Sequence, residues 1–159
     1  MINKFKYKIS LMQIKHGRLA MVAAIGILTA EVWHPFYGGL IRGPAISHFQ
    51  QIEALQPGFW LVPLLATGIF EAYSIAKGWA PPDETKGTVA WLKDDYVPGD
   101  LGWDRTNITP LKYGKWSPEF IEMRNRELQN GRLAMIAVAG VIAQELVDGK
   151  TVFEHLFGY

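Results

Sequence analysis

The chain contains no cysteine. That excludes a disulfide framework, a thiolate metal cluster, a zinc ribbon and a cysteine nucleophile. Charge is scarce as well: 19% of the 159 residues are charged against 49% apolar, a balance that does not describe a disordered tail. The formal net charge is only +1, so no basic face points to nucleic acid as a partner. The four histidines, His16, His34, His48 and His155, are too scattered for a local metal cluster. No nucleophile sits beside a base and no nucleotide-binding loop is present, which reads as a protein that is not an enzyme. The first ten residues, MINKFKYKIS, lack the apolar stretch and small-residue cleavage site of a secretory signal. They do not read as a transit peptide either.

What is there is three apolar runs. Residues 19–33, 57–76 and 133–147 each carry one charge, Glu31, Glu71 and Glu145 respectively. Only the middle run reaches the ~20 residues needed to cross ~30 Å of hydrocarbon. Boundary signals lengthen the outer two. Ser117-Pro118-Glu119 is a helix start, with a capping serine, a first-turn proline and an acid, and Gly149 is a stop. The enclosed helix is ~46 Å long at 1.5 Å per residue and can span while tilted. The first helix begins near Ser10 and ends before His34-Pro35, and the sequence AKGWAPP closes the middle one. The expectation is an all-α membrane protein of one domain, 1–159, with transmembrane helices at about 11–33, 57–78 and 118–148. Pro63 is expected to interrupt hydrogen bonding in the middle helix.

Lys15, Arg18, Glu127 and Arg132 then fall inside the first turns of the outer helices. A charge at mid-membrane costs ~2.5–3.5 kcal/mol, so each of them needs a partner or an interface. Three spans also divide the basic residues. Fourteen lie on the side of the N-terminus and the second loop; Arg42 and Lys150 alone lie on the other. That split is the one expected with the N-terminus inside. Trp33, Trp60, Trp79 and Trp116 sit near the proposed boundaries as an aromatic belt.

An internal repeat organises the outer helices. QIKHGRLAMVAAIGILTAE from Gln13 and ELQNGRLAMIAVAGVIAQE from Glu127 are identical at eight of 19 positions under a shift of 114 residues. Two copies of one helix suggest a pseudo-two-fold pair packed through small residues, Ala20, Ala23, Ala24 and Gly26 against Ala134, Ala137, Ala139 and Gly140. Gly17 and Gly131 are read as clearing space for something bulky. The symmetry brings Arg18 to Glu127 and Arg132 to Gln13, where Gln stands in place of the Glu that symmetry asks for.

Each repeat offers two donors three residues apart on one helix face, Gln13 with His16 and Glu127 with Asn130. Gln144, 14 residues after Asn130, returns to within about 40° of its face ~21 Å further along the helix. Donors that each supply a single N or O atom, without convergent spacing, do not build a protein cage. They suit a hard ion such as magnesium that a macrocycle already holds and that wants one axial ligand. An arginine beside a ligating glutamate keeps such a site neutral in lipid.

The paired turns, Gln-x-x-His-Gly-Arg-Leu-Ala-Met and Glu-x-x-Asn-Gly-Arg-Leu-Ala-Met, with Gln144-Glu145 near the end of the third helix, resemble the chlorophyll-binding light-harvesting complex family. The resemblance covers nearly the whole chain, including Glu71 and the segment from Pro98 through Gly102 to Trp103-Asp104. It implies three transmembrane helices with the first and third crossed, chlorophyll magnesium ligands at Gln13, His16, Glu71, Glu127, Asn130 and Gln144, and a helix-locking Arg18–Glu127 ion pair. It implies chlorophyll a, a second chlorophyll (c in preference to b, of the chlorophyll a/c or red-lineage type) and carotenoids of the xanthophyll kind. Excitation would pass to a photosystem core, photosystem I favoured, beside neighbouring antenna subunits in the chloroplast thylakoid membrane, with the N-terminus and second loop stromal. Two departures stand out: Gln13 replaces the family's usual Glu, and Arg105 stands where many members have proline. His34, His48 and His155 read as capping or solvated residues. Alternatives are a photoprotective member that dissipates excitation and, in a different class, a small membrane transporter using the intramembrane acids.

Overall fold

The computed structural model describes residues 2–34, 36–81, 92–102 and 117–158. Among the described residues there are five α-helices: α1 (Ile2–Val32), α2 (Ala45–Leu55), α3 (Leu61–Gly78), α4 (Pro118–Asp148) and α5 (Val152–Phe157). A short turn, Phe36–Gly39, in which Tyr37 and Gly38 take left-handed φ values of 52° and 63°, precedes α2. Among the described residues there is no strand, only the isolated antiparallel bridge between Trp79 and Leu92. The architecture is all-helical, as expected.

The element boundaries correct the sequence reading in three places. α1 begins at Ile2 rather than near Ser10, so Lys15 and Arg18 lie in the interior of a helix and not in its first turn. Likewise Glu127 and Arg132 are ten and fifteen residues into α4. The middle helix starts at Leu61 because Gly58 takes a left-handed conformation, φ +81°, and a turn closes from Gly58 O to the Leu61 N–H. Pro63 is therefore the third residue of α3, where a missing N–H costs nothing. It opens the helix and does not interrupt it. α2 and α5 fall in segments read as loop and tail.

α4 occupies the expected span. The Ser117 hydroxyl accepts the Phe120 N–H at 3.2 Å, and Gly149, at φ +63°, turns its N–H back to the Glu145 carbonyl. Two helices, Ile9–Val32 within α1 and Pro118–Asp148, are long and apolar enough to cross a membrane. That reverses the hydropathy order, in which the middle run led; α3 has 18 residues, about 27 Å. Large apolar side chains stand open along all three helices, Val22, Ile69 and Ile136 each at least 70% exposed. A protein in water does not leave such continuous faces uncovered.

Contacts group the chain into two compact units, Met1–Arg18 with Thr67–Arg132, and Leu19–Ala66 with Leu133–Tyr159. In the first unit α1 and α4 meet backbone to backbone. A Cβ built on Gly17 would lie 3.0 Å from Gly131 Cα, and one on Gly131 would lie 2.9 Å from Gly17 Cα. The space these glycines clear is each other's backbone, which corrects the reading that they make room for a bulky group. Leu11, Ile14 and Gly17 form the buried face of α1 here.

Residues 92–102 cap the same unit. Gly99 seats against Ile14, Lys93 Nζ donates to the carbonyls of Ala76 and Lys77, and Tyr73 Oη donates to the Leu101 carbonyl. The Tyr96 ring lies over Gly78, where a Cβ would fall 2.8 Å from a ring carbon. Burial pushes the Tyr96 phenol above its ordinary value of 10.0. The neutral phenol thus favours the folded state up to about pH 10, and that contribution fades as pH rises through the folded value.

In the second unit the acids that end the two repeats act as helix caps. Both oxygens of Glu31 accept the Val152 N–H at the start of α5, each at 3.0 Å. Glu145 Oε2 accepts the Ile46 N–H in the first turn of α2 at 2.8 Å. Each carboxyl oxygen accepts a backbone N–H that the helix start leaves without an intrahelical partner. Thr151 and Glu154 complete a capping box on α5. Trp103, Asp104, Arg105 and Trp116, with Lys86, Lys112 and Lys115, lie outside the described residues.

The glycine contact generates a prediction. Gly131→Ala must push two backbones apart and should cost ~1–3 kcal/mol, seen as a lower Tm by circular dichroism. Gly68→Ala in α3, where nothing lies within 4 Å, should leave Tm unchanged or raised.

Candidate functional site

The six candidate donors divide between the helices by position: Gln13 and His16 on α1, Glu71 on α3, and Glu127, Asn130 and Gln144 on α4. The structure brings the charged ones to cations. Arg18 Nε donates to Glu127 Oε1 at 2.6 Å, and its Nη1 donates to the Gly99 carbonyl at 2.8 Å. One guanidinium thereby joins α1, α4 and the 92–102 segment. Arg132 Nη2 donates to Gln13 Oε1 at 2.9 Å, so the position that symmetry assigns to a carboxylate holds a neutral amide on its arginine. Arg124 Nη2 adds a bond to Ser10 Oγ at 2.9 Å.

Glu71 is the single charge of the middle apolar run, and the cation nearest to it in sequence is Lys77. Its partner is Lys15 on α1, Nζ to Oε2 at 2.6 Å. The Lys77 ammonium stands 6.0 Å from the centre of the Tyr73 ring. Nothing in one-dimensional spacing joins residues 15 and 71; the link exists only once α1 and α3 are packed.

His16 Nδ1 lies 2.8 Å from the Met12 carbonyl. A carbonyl only accepts, so Nδ1 is the donor, and in the neutral ring the lone pair is then on Nε2. This backbone bond orients an imidazole that is itself exposed, the arrangement typical of a metal-binding histidine. Asn130 is also exposed and makes no side-chain hydrogen bond among the described residues. Gln144 Nε2 is buried without a partner, an orphaned polar group of the kind that marks a missing neighbour. Among the described residues no three acids or histidines gather to hold a bare ion. The remaining histidines are engaged in local structure: His48 Nε2 with the Gly43 carbonyl at 3.0 Å, and His155 with Asp148 at 3.0 Å. His34 and His48 rings meet edge to face, centroids 6.4 Å apart.

The donor set is thus made of single N or O atoms spaced along helices, charged members neutralised, beside wide apolar faces. It fits a flat, apolar group that brings its own metal and needs one axial atom per copy.

The profile of the family described as chlorophyll A-B binding protein matches residues 5–146. The chain belongs to this family. It is 47% identical over 150 residues to the light-harvesting complex stress-related protein 3.2 of Chlamydomonas reinhardtii, covering 91% of this chain and 54% of that one. It is 40% identical over 146 residues to a fucoxanthin-chlorophyll a-c binding protein of Isochrysis galbana, covering 91% and 66%. It is 29% identical over 164 residues to chlorophyll a-b binding protein 7 of Solanum lycopersicum, covering 92% and 55%. All three relatives are named chloroplastic. The chain spans about half to two thirds of the length of these relatives.

In this chlorophyll-binding family member, the sequence did not reveal the Lys15–Glu71 pairing, the part of the Gly99 carbonyl, or the capping roles of Glu31 and Glu145. The two acids were visible as repeated positions and as the lone charges of their apolar runs, but neither signal points to a cap.

The arginine joint is testable. Arg18→Leu removes two charge-assisted bonds and leaves Glu127 without its cation, an expected loss of about 1.5–3 kcal/mol for each part-buried bond. Adding Glu127→Gln should recover part of it, measured by thermal denaturation. A double variant no more stable than Arg18→Leu would contradict the coupling.

Proposed function

We propose that the chain is a light-harvesting antenna that holds chlorophylls and carotenoids at fixed positions and passes excitation to a photosystem, with photosystem I favoured. The observation that carries the reading is the donor set: six N or O side chains on three helices, each acid among them held by a cation of α1. Gln13, His16, Glu71, Glu127, Asn130 and Gln144 are the proposed axial ligands, with Arg18–Glu127 and Arg132–Gln13 the structural pairs. Chlorophyll supplies the light absorption and the metal; the chain supplies position, orientation and local polarity. His16 contributes Nε2 because the Met12 carbonyl holds the Nδ1 proton. Chlorophyll a, a second chlorophyll (c in preference to b) and xanthophylls are the proposed pigments, and the fucoxanthin-chlorophyll a-c relative supports that choice. No enzymatic step is assigned to the chain.

The proposed architecture is one domain over 1–159 with three membrane spans, α1, α3 and α4, the first and last crossed about a pseudo-two-fold. The facing glycines and the reciprocal pairs support it: Arg18 with Glu127 becomes Arg132 with Gln13 when each number is exchanged across the 114-residue repeat. The N-terminus and second loop are placed on the stromal side of the thylakoid membrane. Of the basic residues, only Arg42 and Lys150 fall in the second compact unit, which supports that orientation. Neighbouring antenna subunits are the expected lateral partners. The transport alternative is not favoured, since the family to which the chain belongs is one of chlorophyll-binding proteins.

A second reading, photoprotective dissipation, is favoured by the stress-related names of relatives that are 47% identical. A fluorescence lifetime that shortens on acidification of the purified protein would favour dissipation over harvesting.

The reading as a whole is tested by an absorption spectrum and pigment chromatography of the gently isolated protein. Chlorophyll a with chlorophyll c and a xanthophyll is expected, and Asn130→Leu should carry one chlorophyll fewer. A pale preparation, or Asn130→Leu with unaltered pigment stoichiometry, would respectively sink the function and the ligand assignment.

A further inference from the structure

The two arginines of the repeat are engaged differently. Arg18 uses two edges of its guanidinium, Nε on Glu127 and Nη1 on the Gly99 carbonyl. Arg132 makes one bond among the described residues, from Nη2 to Gln13 Oε1 at 2.9 Å, and its Nε and Nη1 have no acceptor there. The residue is exposed and stands where the polar first half of α4 meets the apolar run 133–147. A guanidinium cannot shed its charge by losing a proton. In an apolar surround it therefore calls for an anion. The acids of the neighbouring helix turns are already engaged, Glu71 with Lys15, Glu122 with Arg126 and Glu127 with Arg18.

We infer that Arg132 binds the free carboxylate of a pigment and so selects, at the Gln13 position, a chlorophyll whose acid side chain is not esterified. The inference rests on the ligand role proposed for Gln13 and names the pigment that this position takes. Arginine and axial ligation would share one atom, Gln13 Oε1, which has a second lone pair beside the one that Arg132 occupies. A macrocycle held by that oxygen brings its rim to the guanidinium, and a carboxylate on the rim meets N–H groups whose planar fork suits it. Chlorophylls of the c class carry such an acid; in chlorophyll a and b the corresponding carboxyl is a neutral phytyl ester. A glutamate at position 13 would cancel Arg132 within the protein, as Glu127 cancels Arg18. The amide leaves that charge to the ligand. An anionic lipid headgroup offers the same chemistry, but nothing ties a lipid to the Gln13 oxygen as axial ligation ties a pigment.

The experiment refolds the full chain with chlorophyll a, xanthophyll and equal amounts of chlorophyll c as free acid and as methyl ester. Bound pigments per chain are then read by chromatography and protein assay. The wild-type chain is expected to favour the acid about tenfold at one site, the worth of one charge-assisted bond, and so to hold close to one more acid than ester. Arg132→Gln keeps an N–H for Gln13 but no charge, and Gln13→Glu supplies the missing anion; each should take acid and ester alike. Equal binding of the two by the wild-type chain, or a preference that survives in both variants, overturns the inference. The wild-type comparison decides by itself if a variant does not fold. Phosphatidylglycerol held at one per chain and released in Gln13→Glu, with acid and ester bound alike, would make the anion a headgroup and overturn the pigment assignment. A chain that takes chlorophyll without selecting the acid loses this inference alone, whereas a chain that takes no chlorophyll loses the antenna reading with it.

Discussion

Two glycines with no side chain between them govern what the long helices can do. Gly17 and Gly131 approach so closely that a methyl group on either would meet the other's backbone. That proximity lets short reaches suffice: Arg18 extends to Glu127, Arg132 to Gln13 and Arg124 to Ser10. In an apolar surround these bonds are not ornaments, since each charge left alone would have to be solvated or neutralised. The close approach comes first, and the charge pairing follows from it.

The two halves of the repeat are not equivalent in charge. Glu127 cancels Arg18, but Gln13 leaves Arg132 with its formal charge uncancelled by that partner. An amide oxygen can accept from arginine and still offer a second lone pair, so the bond survives the substitution while the electrostatics change. Surroundings built from the same turn, Gly-Arg-Leu-Ala-Met, thereby acquire different local fields. For a bound chromophore, such a difference is a means of giving two similar positions different energies without altering the fold.

Much of the long-helix architecture was legible in the sequence. The repeat identified α1 and α4 as related, and start and stop chemistry at Ser117 and Gly149 placed α4 where it lies. The Arg18–Glu127 pairing followed from the repeat alone. What could not be read depends on distant contacts. The start of α1 was missed because polar residues before Ser10 give no apolar signal. α2 was missed because its first turn is capped by Glu145, 99 residues away; α5 did have a local signal, the Thr151–Glu154 capping box, but its six residues are too short to give a periodic one. Lys15 with Glu71 was missed for the same reason as α2, being 56 residues apart. Gly58 and Pro63 were read as belonging to a longer middle helix, although a left-handed glycine ends one backbone path and a proline suits the start of the next.

The reciprocal clasp of the short helices bears on how the molecule comes into being. α5 is held by an acid near the end of the first long helix, and α2 by an acid near the end of the last. Neither clasp can close while the ribosome is still adding residues before position 145. An early hairpin of α1 with α3 would therefore wait, its connecting helix untethered, until residues 145–152 are made. Closure of these two clasps is then a late step in assembly, and residues 145–152 act in it as a checkpoint.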